Sequence, residues 1–402
     1  MLTMAQALDA LLSAARPLAQ VEQVDTLDAN GRVLAAPVTS TLRVPPADNT
    51  SMDGYAMRAA DVPAAGTRLR VSQRIPAGHV GTELQPGTAA RIFTGGLIPP
   101  GADAVVMQEQ CTAEGEDVIV NHVPQSGEWI RRAGEDIEAG SVILPAGTRL
   151  TPQALGLAAS VGQAKLDVVR RVRVAVFFTG DELAMPGEPL KPGAIYNSNR
   201  FTLRGLLENL GCEVSDFGIV PDTLAATRET LRRAAQGHDL IITSGGVSVG
   251  EEDHIKPAVE AEGRLDMWQI AIKPGKPLAL GQVNPAGPDQ AFFLGLPGNP
   301  VSSFVTFLLF VRPFILRLQG VADVAPRRLP LRADFELNKG DRRNEFLRAR
   351  INTEGGLDLF PNQSSGVLTS TVWGDGLIDN PPNQAIARGE TVQFIPFDGL
   401  LA

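Results

Sequence analysis

Cysteine is almost missing from this chain: its 402 residues include two, Cys111 and Cys212, and neither sits in a C-x-x-C pair. That excludes a disulfide framework and points to a reducing, cytoplasmic compartment. Histidine is nearly as scarce, with four residues at 79, 122, 238 and 254 and no zinc-ligand spacing among them. Positive charge is in short supply: 36 Lys and Arg stand against 45 Asp and Glu, for a net charge of −9. Non-specific nucleic-acid binding needs the opposite balance. Long apolar runs are missing too. The most apolar stretch, VSSFVTFLLFV at 301–311, is shorter than the ~20 residues of a membrane span and is interrupted by Arg312-Pro313. It predicts a buried core helix. The N-terminal MLTMAQALDALLSAARPL lacks the basic and apolar regions of a secretory signal; Thr3 and Gln6 instead predict a capped helix.

Glycine (41) and proline (30) are plentiful, as in chains rich in turns and short strands. The texture changes along the chain. Residues 1–40 predict a helix and strands. Residues 45–140 (RLRVSQRIPAGHVG, AVVMQEQ, DVIVNHV) show no amphipathic helix and predict a β domain. Residues 151–161 carry Thr151 at a helix N-cap and Pro152 at its first turn, with Gly162 at its end. From 171 strands and helices alternate: VRVAVFF, SNRFTLRGLLENLG, CEVSDFGIV, DTLAATRETLRRAAQG, DLIIT, DHIKPAVEAEG, then PLALG, AFFLGLP and a helix over 300–316 with Asn299 as its N-cap. That order predicts a doubly wound sheet with a ligand crevice at the carboxyl ends of its strands. Residues 328–402 return to strands.

The loop TSGGVSVGEEDH (243–254) contains G-V-S-V-G, a match to the hydrolase nucleophile elbow. Ser248, however, lies well past the strand end, and the one downstream histidine, His254, is in the same local segment. A glycine loop suits the sequence better. Gly245 and Gly246 let backbone N–H groups approach a ligand, Ser248 can donate to phosphate, and Glu251, Glu252 and Asp253 are hard oxygen donors for Mg²⁺. Asp253 taken alone reads as a helix cap. So does Asp222 in GIVPDT, and Glu182 in VAVFFTGDEL reads as a solvated loop charge. Three acids at neighbouring strand ends repel one another unless a cation sits among them. AIKPGKP holds Lys273 and Lys276 on a proline-stiffened loop; in isolation they are solvated lysines. LGLPGNPVSS opens a helix with Ser302 in its first turn, which is both a well-capped core helix and an anion site. NTSMDGYA, RIFTGG and RRAGEDI in the β domain cannot be placed near the crevice from their own chemistry.

Taken together, NTSMDGYA, RIFTGG, RRAGEDI, FFTGDEL, TSGGVSVGEEDH, IKPGKP, LPGNPVSS and QSSGVLTS resemble the molybdopterin molybdenumtransferases, the MoeA and gephyrin E-domain proteins, over nearly the whole chain. The resemblance implies a multidomain α/β plus β protein. Residues 1–44 with 141–170 would form a discontinuous helical and strand domain, 45–140 a β-rich domain, 171–322 a doubly wound α/β molybdopterin-binding domain, and 323–402 a C-terminal β-barrel-like domain. It implies insertion of molybdate into adenylylated molybdopterin, with Mg²⁺-dependent release of AMP. Glu182, Asp222 and Asp253 would hold Mg²⁺ and the nucleotide phosphates, and Gly245, Gly246 and Ser248 the pterin phosphate. Lys273, Lys276, Ser302, Arg348 and Ser370 would receive molybdate. A homodimer would bring Asp53, Thr94 and Asp136 to the crevice of the other protomer. The molybdopterin adenylyltransferase and cofactor-receiving proteins would be further partners; no nucleic acid and no membrane are expected. The alternatives in the same family neighbourhood are a molybdopterin adenylyltransferase and a gephyrin-like scaffold. The sequence departs from the family pattern at Gln269, where a basic residue is usual, at Ser51, and at VWGDGLI (372–378) beside Ser370.

Overall fold

The computed structural model describes residues 1–247, 254–284 and 290–401. At its centre is a six-stranded sheet in the order Glu213–Val220, Arg173–Thr179, Leu240–Ser244, Ala291–Leu296, Pro277–Val283, Gly263–Gln269. The first four strands are parallel and the last two antiparallel. Successive side chains of a strand point to opposite faces, and Arg173–Thr179 shows why its run is continuously apolar. Val174, Val176 and Phe178 join one core with Leu203 and Leu206 of helix Ser198–Asn209. Ala175 and Phe177 join a second core with Leu231 and Ala234 of helix Leu224–Ala235. The chain leaves the first strand for one neighbour and returns for the other, so a switch point opens at the carboxyl ends.

The apolar stretch becomes one helix over Pro300–Leu318, 19 residues long and 94% buried. By length and composition it passes as a membrane span; its burial makes it the central core helix. It also runs through Arg312-Pro313 rather than stopping there. A π-helical turn at Phe307–Val311 precedes the proline. The wider turn accommodates a residue that has no N–H and crowds the carbonyl of the preceding turn. Asn299 stands at the N-cap position as expected, yet its side chain makes no capping bond.

Residues 45–140 contain no α-helix and form a six-stranded sheet, ordered Ala104–Met107, Gly54–Met57, Thr88–Ile92, Thr67–Ile75, Asp117–Val120, Cys111–Glu114. Segments on either side of it pair with each other: Val21–Asp25 with Lys165–Val169, and Val38–Thr39 with Val142–Leu144. The capped helix Met4–Ala14 packs elsewhere, placing Ala7 and Leu11 in the same cluster as Phe310 and Phe314. At the C-terminal end, Asn344–Ile351, Gly376–Asn380, Thr391–Pro396 and Leu329–Arg332 pair in that order. A bridge from Ala333 to Leu357, whose strand Leu357–Leu359 pairs back to Asn344–Ile351, closes the ring and gives the barrel-like form. The short strand Ile272–Lys273 crosses from the central unit to join this sheet, with Lys273 opposite Glu345.

Candidate functional site

The carboxyl ends of the central strands border a cavity of about 830 Å³. Its floor is a hydrogen-bonded lattice. Asn199 donates to Ser244 Oγ and to the Gly298 carbonyl, both at 2.8 Å, and Ser244 Oγ donates to the Pro297 carbonyl at 3.0 Å. The ends of two neighbouring strands are thus tied to the start of helix Ser198–Asn209. Gly245 and Gly246 follow at φ +98° and +64°, a region closed to most side chains, so the loop presents bare backbone to the cavity.

Seven of the residues singled out from sequence line this space: Glu182, Asp222, Gly245, Gly246, Lys273, Lys276 and Ser302. Two carboxylates and two ammonium groups therefore border one cavity. Ser248 and Asp253 lie outside the described residues. Among those described, no group of three or more His, Cys, Asp and Glu side chains is arranged to hold a metal ion.

Several placements differ from expectation. Lys273 is not a free cation: its Nζ lies 3.0 Å from Glu345 Oε1 and 3.3 Å from Asp341 Oδ2. Burial works to lower its pKa, but the hydrogen bonds and charges of Glu345 and Asp341 win and hold it above the usual lysine value. Asp341 is driven well below the carboxylate range, chiefly by Arg343, which also lines the cavity. The anion side of the cavity thus carries its own acids. Arg348 and Ser370 do not line the cavity; they stand behind its lining. Arg348 Nε donates to Ser370 Oγ at 3.1 Å and Nη2 to the Ser364 carbonyl at 3.2 Å, while its backbone N–H donates to Gln363 Oε1 at 2.9 Å. Gln363 and Ser364 are the lining residues. The N-terminus of the core helix is already engaged as well, because Val301 N–H donates to the Ser365 carbonyl.

Asp53, Thr94 and Asp136 do not line this protomer's cavity. Asp53 Oδ1 accepts from Thr94 N–H at 2.7 Å and from its hydroxyl at 2.8 Å. Those two bonds, the backbone one first, hold the Asp53 carboxyl below its usual range. Asp136 is exposed, on the loop that follows the strand Ile130–Arg131.

The comparisons with known proteins follow this layout. The MoeA N-terminal region (domain I and II) matches residues 2–162, a probable molybdopterin binding domain matches 175–317, and the MoeA C-terminal region (domain IV) matches 329–397. A molybdopterin molybdenumtransferase from Haemophilus influenzae is 41% identical over 409 aligned positions that cover 100% of both chains. This chain belongs to the molybdopterin molybdenumtransferase family. A second such protein, from a Nostoc species, is 40% identical across 92% of this chain and 87% of its own. A crystal structure of a molybdopterin biosynthesis MoeA protein from Pyrococcus horikoshii OT3 matches with a TM-score of 0.84 at 29% identity, covering 98% of this chain and 100% of that one. Within the family, the cavity falls between the stretches matched as the binding domain and as domain IV: Lys273 comes from the first, and Arg343, Gln363 and Ser364 from the second.

Sequence reasoning missed Asn197, Asn199, Asp341, Arg343, Glu345 and Gln363. The string DRRNEFLRAR gives no local signal that Glu345 will face a lysine 72 positions away. Gln269, the departure from the family pattern, is exposed at the end of strand Gly263–Gln269. The altered VWGDGLI stretch leaves Ser370 buried in the short helix Thr369–Trp373, in contact with Arg348.

Proposed function

We propose that this chain transfers molybdenum, delivered as molybdate, into adenylylated molybdopterin and releases AMP with the help of Mg²⁺. One observation carries the reading: a single cavity has carboxylates at two strand ends and cationic and hydroxyl groups from the Lys273–Lys276 loop and Ser302. The donor set suits Mg²⁺, which typically takes one or two carboxylates and fills its remaining positions with water and substrate phosphate. Glu182 and Asp222 are such a pair, with Asp253 as the proposed third. When bound, Mg²⁺ would neutralise charge on the phosphoanhydride.

The remaining work falls to the chain's own groups. The backbone of Gly245 and Gly246, with Ser248, cradles the pterin phosphate. Lys276, Ser302 and the Lys273 ammonium face the oxometalate, a tetrahedral dianion that the carboxylates repel. Asp341 and Glu345 hold Lys273 in one place, which lowers the entropy lost when the anion arrives. Arg348 adds a positive charge behind the lining, braced by Ser370.

We further propose that residues 1–44 with 141–170, 45–140, 171–322 and 323–402 act as the working units of a homodimer. Asp53, Thr94 and Asp136 of one protomer then face the cavity of its partner. The supporting observation is that Asp53 is held ionised and oriented by Thr94, although it has no cavity of its own to serve.

Two tests follow. Glu182→Gln and Asp222→Asn each lower AMP release roughly tenfold to a hundredfold. Each also raises the Mg²⁺ concentration needed for half-maximal rate, read by titrating Mg²⁺ in a release assay. An unchanged Mg²⁺ requirement rules out the cation assignment. Mixing Asp53→Asn protein with Glu182→Gln protein tests the shared site. If subunits exchange freely, a mixed dimer holds one site with both wild-type groups, so about a quarter of the parental rate returns. A mixture no more active than its components shows that Asp53 does not serve in trans.

A further inference from the structure

Asn197 holds the N-terminal end of helix Ser198–Asn209 and lines the cavity. Its Oδ1 accepts from Arg200 N–H at 3.1 Å, which settles which end of the amide is oxygen. Its backbone N–H donates to the Ala184 carbonyl at 2.9 Å, beside the strand that follows Glu182. The side chain is 2% exposed, and Nδ2 is buried with no acceptor among the described residues. Of the buried side-chain atoms unpartnered in this way, it alone belongs to a residue lining the cavity.

An amide donor shut away from water without an acceptor is destabilising. Capping does not require it, because the oxygen alone does that work. In this chain Thr151 and Thr223 cap their helices with a hydroxyl and leave no donor stranded. The nitrogen of Asn197 therefore lacks a use inside the free protein, and what lies within reach is whatever fills the cavity. That occupant must offer an acceptor on the Glu182 side.

We propose that Asn197 is a substrate-contacting residue whose Nδ2 donates to a phosphate oxygen of the adenylylated substrate. This rests on the reading given above. A neutral donor suits the place. Beside Glu182 a lysine would pair with the carboxylate, as Lys273 does with Glu345, and would compete with the cation. An amide instead reinforces the phosphate oxygen without drawing the acids away.

The probe is AMP with Mg²⁺, titrated calorimetrically into the full-length protein, alongside melting temperatures without ligand. Asn197→Ser and Asn197→Asp both keep an oxygen cap and lose the amide. Both weaken AMP binding roughly tenfold to a hundredfold, the weight of one hydrogen bond to a charged acceptor, and neither lowers the melting temperature. Parental affinity in either variant overturns the proposal. A lowered melting temperature in both assigns the amide to folding and overturns it too. Failure of the parent protein itself to bind AMP instead sinks the nucleotide reading of the cavity, and this assignment with it.

Discussion

Arg348→Met lowers molybdenum insertion about a thousandfold, the weight of a lost charged donor at a desolvated anion site, while the melting temperature stays near the parent's. Arg348 is 1% exposed, and its side chain donates to neutral oxygens: Ser370 Oγ, the Phe346 carbonyl and the Ser364 carbonyl. No carboxylate pairs with it among the described residues. Burial pushes its pKa down to about 10. A cation whose folded pKa lies below its unfolded value weakens the fold while charged. The penalty is therefore full at neutral pH and is relieved only as pH climbs through about 10. It is on the order of 3 kcal/mol. Met removes the penalty and fills much of the space, but it leaves the Phe346 and Ser364 carbonyls without their donor, at about 1 kcal/mol each or more. The two effects nearly cancel.

The same reasoning fixes a ligand effect. A dianion over Ser364 supplies the counter-charge that the protein withholds. Molybdate at a hundred times its dissociation constant stabilises the parent protein by about 2.7 kcal/mol, and Arg348→Met loses most of that gain. Calorimetry with and without molybdate reads the stabilisation, and an insertion assay reads the rate. A variant that inserts normally, or is stabilised as strongly as the parent, removes Arg348 from the anion pocket.

Gly54→Ala unfolds the β domain, with a stability loss of about 3 kcal/mol or more. Gly54 begins a strand held between Ala104–Met107 and Thr88–Ile92, facing Met107 on one side and Ile92 on the other. A Cβ there would lie 2.0 Å from the Val106 carbonyl oxygen and 2.9 Å from its carbon. Both are backbone atoms of a paired strand, so no side-chain rotation relieves the contact. The strand must move, and Asp53, the next residue, moves with it away from Thr94. Chemical denaturation measures the loss, and limited proteolysis locates it within residues 45–140. Insertion falls as well if Asp53 serves the partner's cavity. Parental stability in the alanine variant contradicts the close approach of these two strands.

Much of this was legible without coordinates. The both-faces burial of Arg173–Thr179 follows from an apolar run with no polar alternation. Thr3 with Gln6, and Thr151 before Pro152, announced their helices because capping is a local hydrogen bond within three residues. Glu182, Asp222, Gly245 and Gly246 came together because parallel strands of one sheet end on the same side. The run through Pro313 was not legible, since it depends on a π turn that packing selects.

The sequence by itself determined the alternation of strand and helix, the β-only stretch over 45–140, the family, and which acids sit at strand ends. Each is written in short-range periodicity, in turn residues, or in strings that need only neighbours along the chain. The tertiary structure alone decided that Lys273 is neutralised by Asp341 and Glu345, that Arg348 lies behind the cavity wall, and that Asn197 keeps an unused donor. Those outcomes depend on strand register and burial between segments tens of residues apart. Charge and hydrogen bonding respond to distance in space, which the order of residues does not record.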